Sequence, residues 1–247
     1  MAAMEPFVVH AVDPNIEVRI VREMPPLPPT LDAHVEAIWA RVAARVDAAG
    51  VGPLFNGRVF SIETISLDRI TGHLTEYRRL VAQSEDHGLF EELGIRSLAA
   101  CGVLRCADGV VIGRRPEGTF YQPGMWQLCP AGSVDGGARR PDDTMDFRAQ
   151  LLTEIHEELG LGGETFGEIT PLCLVEHPGS HVTDLGMAVT TSLDAKAVLE
   201  AHSRHGNNEY DPLRIVPIPE LPAFISWAGK TLVPPATEFL ARAGLLP

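Results

Sequence analysis

The stretch TEIHEELGLG, residues 153–162, places three glutamates within five positions, shortly before a glycine. Residues three and four apart lie on one face of an α-helix, so Glu154, Glu157 and Glu158 are expected to form one acidic ridge. Like charges at this spacing cost roughly a few tenths of a kcal/mol per pair. The ridge is therefore either a solvated acidic stripe or a site for cations, and the surrounding sequence has to decide between them.

The residues around the ridge predict a helix that follows a strand and a loop. Apolar residues recur at helical spacing over 145–159, and Gly160 stands where a glycine commonly ends a helix. Upstream, segments 98–106 and 110–115 flank an Asp-Gly turn and predict a hairpin. A predicted strand over 125–132 leads into a Pro-Ala-Gly loop.

Composition bounds the classes of protein that this chain can belong to. The 247 residues are 45% hydrophobic and carry a net charge of −13, with no apolar run long enough to span a bilayer. Since an acidic surface repels a phosphate backbone, we expect neither nucleic acid nor a membrane as a partner. The start of the chain lacks a basic segment typical of a secretory signal, and Cys101, Cys106, Cys129 and Cys173 have no paired spacing. We therefore expect reduced cysteines and a cytoplasmic location.

The composition changes near residue 97, and we predict two domains, 1–96 and 97–247. The first contains a proline-rich segment, a helix from about residue 30 capped by Asp32 and ended by Gly50, a strand over 59–67, and short helices over 76–83 and 89–93. The second adds strands over 168–175, 187–192 and 214–218, and a last helix over 235–243. The first domain is interpreted as a small α+β unit.

The order of strand, Pro-Ala-Gly loop, helix and EExGL resembles the Nudix box, whose pattern is G-x5-E-x7-R-E-U-x-E-E-x-G-U. Glu154, Glu157 and Glu158 fall on its glutamates, Ile155 on its aliphatic position, and Gly132 on its first glycine. The resemblance covers about residues 97–247, and it implies an α/β/α sandwich with a mixed, curved sheet.

The sequence departs from that pattern in two ways. The arginine before the first helix glutamate is Thr153, so Arg139, Arg140 or Arg148 would have to replace it. The spacing from Gly132 to the helix is seven residues longer than the pattern, and the box's first glutamate is absent. Its stand-in would come from the aspartates of the inserted loop, which are Asp142, Asp143 and Asp146.

The resemblance also implies roles for individual residues. The three ridge glutamates would be metal ligands and catalytic groups, together with the carbonyl of Ala131, and the metal would be Mg²⁺ or alternatively Mn²⁺. Carboxylate oxygens are ligands that such hard cations prefer. An acid from a later loop, Glu209 or Asp211, would act as base or further ligand. Predicted substrate contacts are made by Arg114, Arg115 and Trp126.

The predicted reaction is hydrolysis of a nucleoside diphosphate linked to another moiety. The chain also resembles the two-domain UDP-glucose pyrophosphatases of the Nudix superfamily, which release UMP and sugar 1-phosphate. The resemblance lies in three short segments that precede the second domain, IWARV (38–42), LFNG (54–57) and TEYRRL (75–80). Alternatives are hydrolysis of ADP-ribose or another diphosphate, and a binding module that has lost turnover. A third alternative, a prenyl-diphosphate isomerase, would use Cys129. The sequence leaves the substrate and the oligomeric state open.

Overall fold

A computed structural model describes residues 7–50, 53–162, 166–177 and 179–246. The α-helices in these ranges are α1 (Pro29–Ala48), α2 (Tyr77–Glu85), α3 (Phe90–Leu93), α4 (Phe147–Leu159), α5 (Ala195–His205), α6 (Leu221–Ala228) and α7 (Pro235–Arg242). The strands are β1 (Val8–His10), β2 (Glu17–Ile20), β3 (Arg58–Ile65), β4 (Arg69–Glu76), β5 (Ser97–Arg105), β6 (Val110–Arg114), β7 (Trp126–Leu128), β8 (Ala131–Ser133), β9 (Thr170–Glu176), β10 (Val182–Thr190) and β11 (Leu213–Val216). No helix in the described ranges combines the length and apolarity needed to cross a bilayer.

The strands form one mixed sheet. Its main path runs β1-β9-β10-β5-β3-β4-β2, with β5 and β10 parallel and β5 and β3 joined by a single antiparallel pair. The end of β5 continues into β6, which also pairs with β7 and β11, while the start of β5 pairs with β8. Because β5 changes partners along its length, the sheet curves around it. The predicted mixed, curved sheet is confirmed.

Helices cover both faces of this sheet, which makes the predicted α/β/α sandwich. Successive residues of a strand point to opposite faces. Leu98, Ala100 and Leu104 of β5 share one buried cluster with the apolar face of α4. Cys101 and Val103, from the same strand, share another with α6 and α7.

The residues before and after position 96 contribute to the same sheet. Ile16, Phe60 and Ile70 belong to the core cluster that lies under α4, whereas α1 and α2 pack on each other in a separate cluster. The junction is the pair Ser61 and Ser97. The boundary at 96 and 97 stays a prediction, while the two segments share one sheet and one core cluster.

Two local predictions were wrong. Helix α1 begins at Pro29 without a side-chain cap, and Asp32 instead accepts a hydrogen bond from Arg78 at 2.7 Å. Proline suits this position because it has no N–H to leave unpaired and its fixed φ matches the helix. The single strand predicted over 125–132 is two strands, because β7 pairs with β6 and β8 pairs with β5.

Candidate functional site

Helix α4 carries the acidic ridge. The Asp146 carboxylate accepts a hydrogen bond from the Ala149 N–H at 3.0 Å and so caps the first turn. Gly160, with φ of 66°, ends the helix in the left-handed conformation that glycine adopts without strain. The helix was therefore predicted correctly, apart from its first two residues.

The three ridge glutamates do not share one environment. Glu158 is fully buried, Glu154 is partly buried, and Glu157 is exposed. Glu154 and Glu158, the inner pair, face β8, since both side chains contact the backbone of that strand. The inner pair of carboxylates is thus separated from the solvated one.

Glu158 has an incomplete set of hydrogen bonds. Its Oε2 accepts a bond from the Ala131 N–H at 3.2 Å, while Oε1 is buried without a partner. Burial raises the pKa of this carboxyl well above its ordinary value, and the charges of Glu209 and Glu154 raise it further. A buried carboxylate oxygen without a partner is costly unless a ligand or a cation binds to it.

Glu154 lies against Gly132. The Gln150 amide donates a hydrogen bond to Glu154 Oε1 at 2.7 Å. A Cβ added at Gly132 would stand 2.1 Å from that oxygen, so only glycine allows the carboxylate to lie there. Burial raises the pKa of Glu154 to about 7, to which the nearby charges of Glu209, Glu157 and Asp135 also contribute.

Glu209 and Arg115 lie near this pair, since the charges of both act on Glu158. The Arg115 guanidinium lies 3.2 Å from Glu209 Oε1 and donates to Gln127 Oε1 at 3.0 Å. Its Nε is buried without a partner. Burial raises the pKa of Glu209, while the charge of Arg115 opposes that rise.

A cavity of about 190 Å³ opens beside these groups. Arg115, Gln127, Gly132 and Glu209 line one part of it, and side chains of α2 and α7 line other parts. Residues from both predicted domains therefore meet in the same cavity.

Two predicted substrate contacts and one alternative acid lie elsewhere. Arg114 donates to the Gly124 carbonyl at 3.0 Å and to Glu117 at 2.7 Å. Trp126 is buried, with its ring edge-on to Phe224 at 5.4 Å and outside the cavity lining. Asp211 is exposed beside β11 and likewise outside that lining.

The residues proposed to replace the missing arginine and glutamate have other partners. Arg139 bonds to Asp143 at 2.6 Å, Arg140 to Asp146, and Arg148 to the Pro14 carbonyl at 2.6 Å. Asp142 accepts bonds from the backbone and hydroxyl of Thr144 at 3.1 and 2.6 Å.

Gln150 is the residue that the sequence interpretation missed. Thr153 is exposed and turns its hydroxyl back to the Ala149 carbonyl at 3.1 Å, whereas Gln150 is buried and contacts Glu154. A residue at i−4 of a glutamate on the same helix face is the signal that could have found it.

The cysteine and histidines near the site have structural partners. Cys129 is fully buried, is not part of the cavity lining, and has its thiol 3.5 Å from the Gln127 carbonyl. That position gives no support to an acid-base role for Cys129. His177 bonds to Asp184 at 2.7 Å, and His181 stacks on Phe90 with ring centroids 3.5 Å apart.

The donors present suit a hard divalent cation, although they are not gathered around one point. Glu154, Glu158 and Glu209 supply only oxygen ligands, and Glu158 has one oxygen without a partner. Within the described ranges, no three acidic, histidine or cysteine side chains converge as a ready metal site. Glu209 is ion-paired with Arg115, and Glu157 is exposed.

Comparison with known proteins gives only distant matches. No protein-family model matches the chain, and a search of curated proteins finds no significant match. Solved structures with a similar arrangement include DR0079 from Deinococcus radiodurans, at 15% identity and a TM-score of 0.47, covering 75% of this chain and 98% of that one. The Nudix hydrolase RenU from M. smegmatis shares 20% identity with a TM-score of 0.37, covering 52% and 74%.

A C. elegans Ap4A hydrolase binary complex is also similar, at 14% identity and a TM-score of 0.36, covering 59% of this chain and 95% of that one.

Proposed function

We propose that this chain is a Nudix-type pyrophosphohydrolase that hydrolyses a nucleoside diphosphate linked to another moiety. The observation that supports this most is that the charge of Glu209 reaches both Glu154 and Glu158, beside a cavity that Glu209 and Arg115 line. Burial raises the pKa of Glu154 and of Glu158, the charge of Glu209 raises both further, and Arg115 Nε has no hydrogen-bond partner among the described residues. Concentrated negative charge beside a buried cation is the arrangement expected where metal ions and a phosphate group complete the site.

Mg²⁺ is the proposed cofactor, with Mn²⁺ as the alternative. Glu154 and Glu158 would hold it, with Glu157 and the Ala131 carbonyl as further ligands. When bound, the ion would supply Lewis-acid polarisation of the phosphoryl oxygens and offset the charge of the substrate. The ridge would then be neutralised by the cations that it binds, which would explain why the chain tolerates the repulsion within it.

The chain's own residues have distinct parts in the proposed reaction. Arg115 would bind a phosphate oxygen through its free Nε, and Gly132 would let the Glu154 carboxylate lie against β8. Glu209 would accept the proton of the attacking water, as one P–O bond forms and the bridging P–O bond breaks. The leaving phosphate departs with the bridging oxygen. Positioning and charge stabilisation would supply most of the acceleration.

A UDP-sugar, cleaved to UMP and sugar 1-phosphate, is the proposed substrate. The cavity lies between α2 of the first predicted domain and strands of the second, as a two-domain enzyme with a shared substrate cavity would have it. ADP-ribose or another diphosphate is the alternative substrate. We place this reaction in the cytoplasm, and the four buried, free cysteines are in keeping with a reducing compartment.

A panel of nucleoside diphosphate sugars and ADP-ribose, incubated with Mg²⁺, tests the proposal. Wild type should release a monophosphate from at least one substrate, and Glu158→Gln should lose roughly 10²-fold or more in kcat. Glu200→Gln is the matched control, because Glu200 lies on exposed α5 away from the cavity and should be as active as wild type. Equal turnover by Glu158→Gln and wild type would refute the proposed site.

A binding module without turnover is the second candidate. It is favoured by the exposed Thr153 at the arginine position and by the separation of the acidic groups in the described ranges. Calorimetric binding of UDP-glucose in saturating Mg²⁺, with no product formed by the same sample, would favour the module over the enzyme.

A further inference from the structure

We propose that the part of the cavity beside Asp184 is a specificity subsite for an uncharged, hydrogen-bond-donating group of the substrate, either a nucleobase N–H or a sugar hydroxyl. This inference deepens the proposed function and rests on it for the identity of the substrate. It concerns residues of β5 and β10, and His177 just after β9, that are separate from the acidic ridge.

Asp184 is a carboxylate held in a fixed position inside an otherwise mostly apolar lining. Its side chain is 13% exposed and lines the cavity. Oδ2 lies 2.7 Å from His177 Nε2, and the Cys101 thiol donates to Oδ1 at 3.4 Å. His177 is itself buried and held by the edge-on ring of Phe7, with centroids 4.9 Å apart. The acceptor is therefore oriented before any ligand arrives.

This carboxylate retains capacity for a ligand. An ionised carboxylate offers about four acceptor positions, and the structure gives Asp184 one partner on each oxygen. A substrate N–H or O–H could take a remaining position and form a charge-assisted bond. A phosphate placed there would be repelled, so Asp184 selects for the uncharged end of the substrate.

The walls of the cavity suit a ring or another flat group. Tyr77, Phe120, Tyr121 and Phe239 contribute aromatic surface to the lining. The Tyr121 hydroxyl lies 3.3 Å from Ser180 Oγ, which holds that side chain over the cavity. An apolar cavity with a few fixed polar groups is the usual composition of a small-molecule site.

A strand pair connects this subsite to the acidic ridge. Cys101, which donates to Asp184, is paired with Ala131 across β5 and β8. The Ala131 N–H in turn contacts Glu158. A substrate with its diphosphate at Arg115 could therefore extend its uncharged group toward Asp184 within the same cavity.

Titration calorimetry with Asp184→Asn tests the subsite directly. The probes are UMP, AMP, glucose 1-phosphate and inorganic pyrophosphate, each titrated in saturating Mg²⁺. We expect the affinity for at least one of the first three to fall about tenfold, while pyrophosphate binds as it does to wild type. A loss for UMP or AMP would identify a base as the occupant, and a loss for glucose 1-phosphate would identify a sugar.

A second variant keeps the subsite testable if Asp184→Asn fails to fold. Ala99 is the register partner of Asp184 and lines the cavity, so Ala99→Leu should fill the subsite without removing the partners of Asp184. Ala99→Leu should weaken the same probe, again sparing pyrophosphate.

The subsite is refuted if neither variant weakens any probe, if pyrophosphate weakens equally, or if wild type binds none of the three larger probes. These outcomes are separable from failure of the proposed function. If no substrate is hydrolysed but Asp184→Asn still loses affinity, the subsite stands and the reaction does not. If hydrolysis requires Glu158 while Asp184→Asn binds every probe as wild type does, the proposed reaction is supported and the subsite is not.

Discussion

Two buried carboxylates, Glu158 behind the cavity-lining residue Ala131 and Asp184 in the cavity lining, lie in opposite conditions. At the end beside α4, Glu158 has one oxygen without a partner, and burial and neighbouring charges raise its pKa. At the end beside β10, each oxygen of Asp184 has a protein partner, one from His177 and one from Cys101. Burial alone therefore does not define a site for cations.

A carboxylate with protein donors on both oxygens is fixed and suited to recognition, whereas one left short of donors is suited to a cation. Leaving a buried charged group unpaired costs several kcal/mol, roughly, unless another charge offsets it. At the α4 end Glu158 carries that cost on its unpartnered oxygen, while the nearby Arg115 is already ion-paired with Glu209. Variants that change one end and spare the other test this comparison.

The largest effect is expected from substitution of Arg115, with its neighbour Arg114 as the comparison. Arg115→Gln should lower kcat/KM by roughly 10²-fold or more, because it removes the buried guanidinium proposed to contact phosphate. Arg114→Gln is the matched control and should remain within about threefold of wild type, since Arg114 bonds to Gly124 and Glu117. Steady-state kinetics on the best substrate of the panel, with melting temperatures of both variants, decides this. Comparable losses in both would contradict the distinction.

Gly132→Ala should give the next largest effect. The added Cβ would displace the Glu154 carboxylate, the flexible end of a side chain, so the fold should persist while the ridge changes shape. We expect roughly a 10- to 100-fold loss of turnover with a small change in melting temperature. Gly179→Ala serves as control, because a Cβ there meets no atom within 4 Å. An active Gly132→Ala enzyme would remove Glu154 from the site.

Gln150→Leu should have a more moderate effect. It removes the 2.7 Å hydrogen bond that orients Glu154 while keeping a buried side chain of similar size. The expected result is about a tenfold higher Mg²⁺ requirement, since residues that orient a ligand typically change metal affinity by roughly 10- to 100-fold. Thr153→Ala is the control, because Thr153 is exposed on the same helix, and its Mg²⁺ titration should match that of wild type. An unchanged Mg²⁺ titration in Gln150→Leu would show that Gln150 does not position the ligand.

The smallest effect concerns stability of the metal-free protein. The pKa of Glu154 is about 7 in the fold against 4.5 for an ordinary glutamate, so between those values the unfolded chain releases a proton that the fold retains. Stability should therefore fall as pH rises from 4.5 to 7, by at most about 3 kcal/mol from this group. Denaturant unfolding with chelator present should show a shallower fall for Glu154→Gln. Identical pH dependences would contradict the raised pKa.

The ridge and its helix could be predicted because their signals are local. A terminal glycine and apolar spacing predict α4, and the EExGL motif predicts the positions of its glutamates, whereas the Asp146 cap was found only in the structure. The different environments of Glu157 and Glu158 could not be read in the same way, because they depend on β8 packing against one side of the helix. Trp126 shows the same limit, since only the position of α6 decides that its ring is enclosed.

Asp184 escaped the sequence interpretation for a related reason. It lies among apolar residues of β10, and its partners come from β9's end and from β5. A single aspartate in a strand is not a sequence motif for a binding site. Only the assembled sheet brings Asp184 and its partners together. The joining of β3 to β5 is equally non-local, and the sequence alone predicted separate units there.

Direct metal binding tests the central claim, which is that the inner carboxylates of α4 exist to hold divalent cations. Titration of wild type and Glu158→Gln with Mn²⁺ in a calorimeter, in two buffers of different ionisation enthalpy, measures affinity and proton release together. The account predicts binding by wild type with release of protons from the raised carboxyls, and at least about tenfold weaker binding by Glu158→Gln. Equal binding by both proteins, or none by wild type, would contradict it.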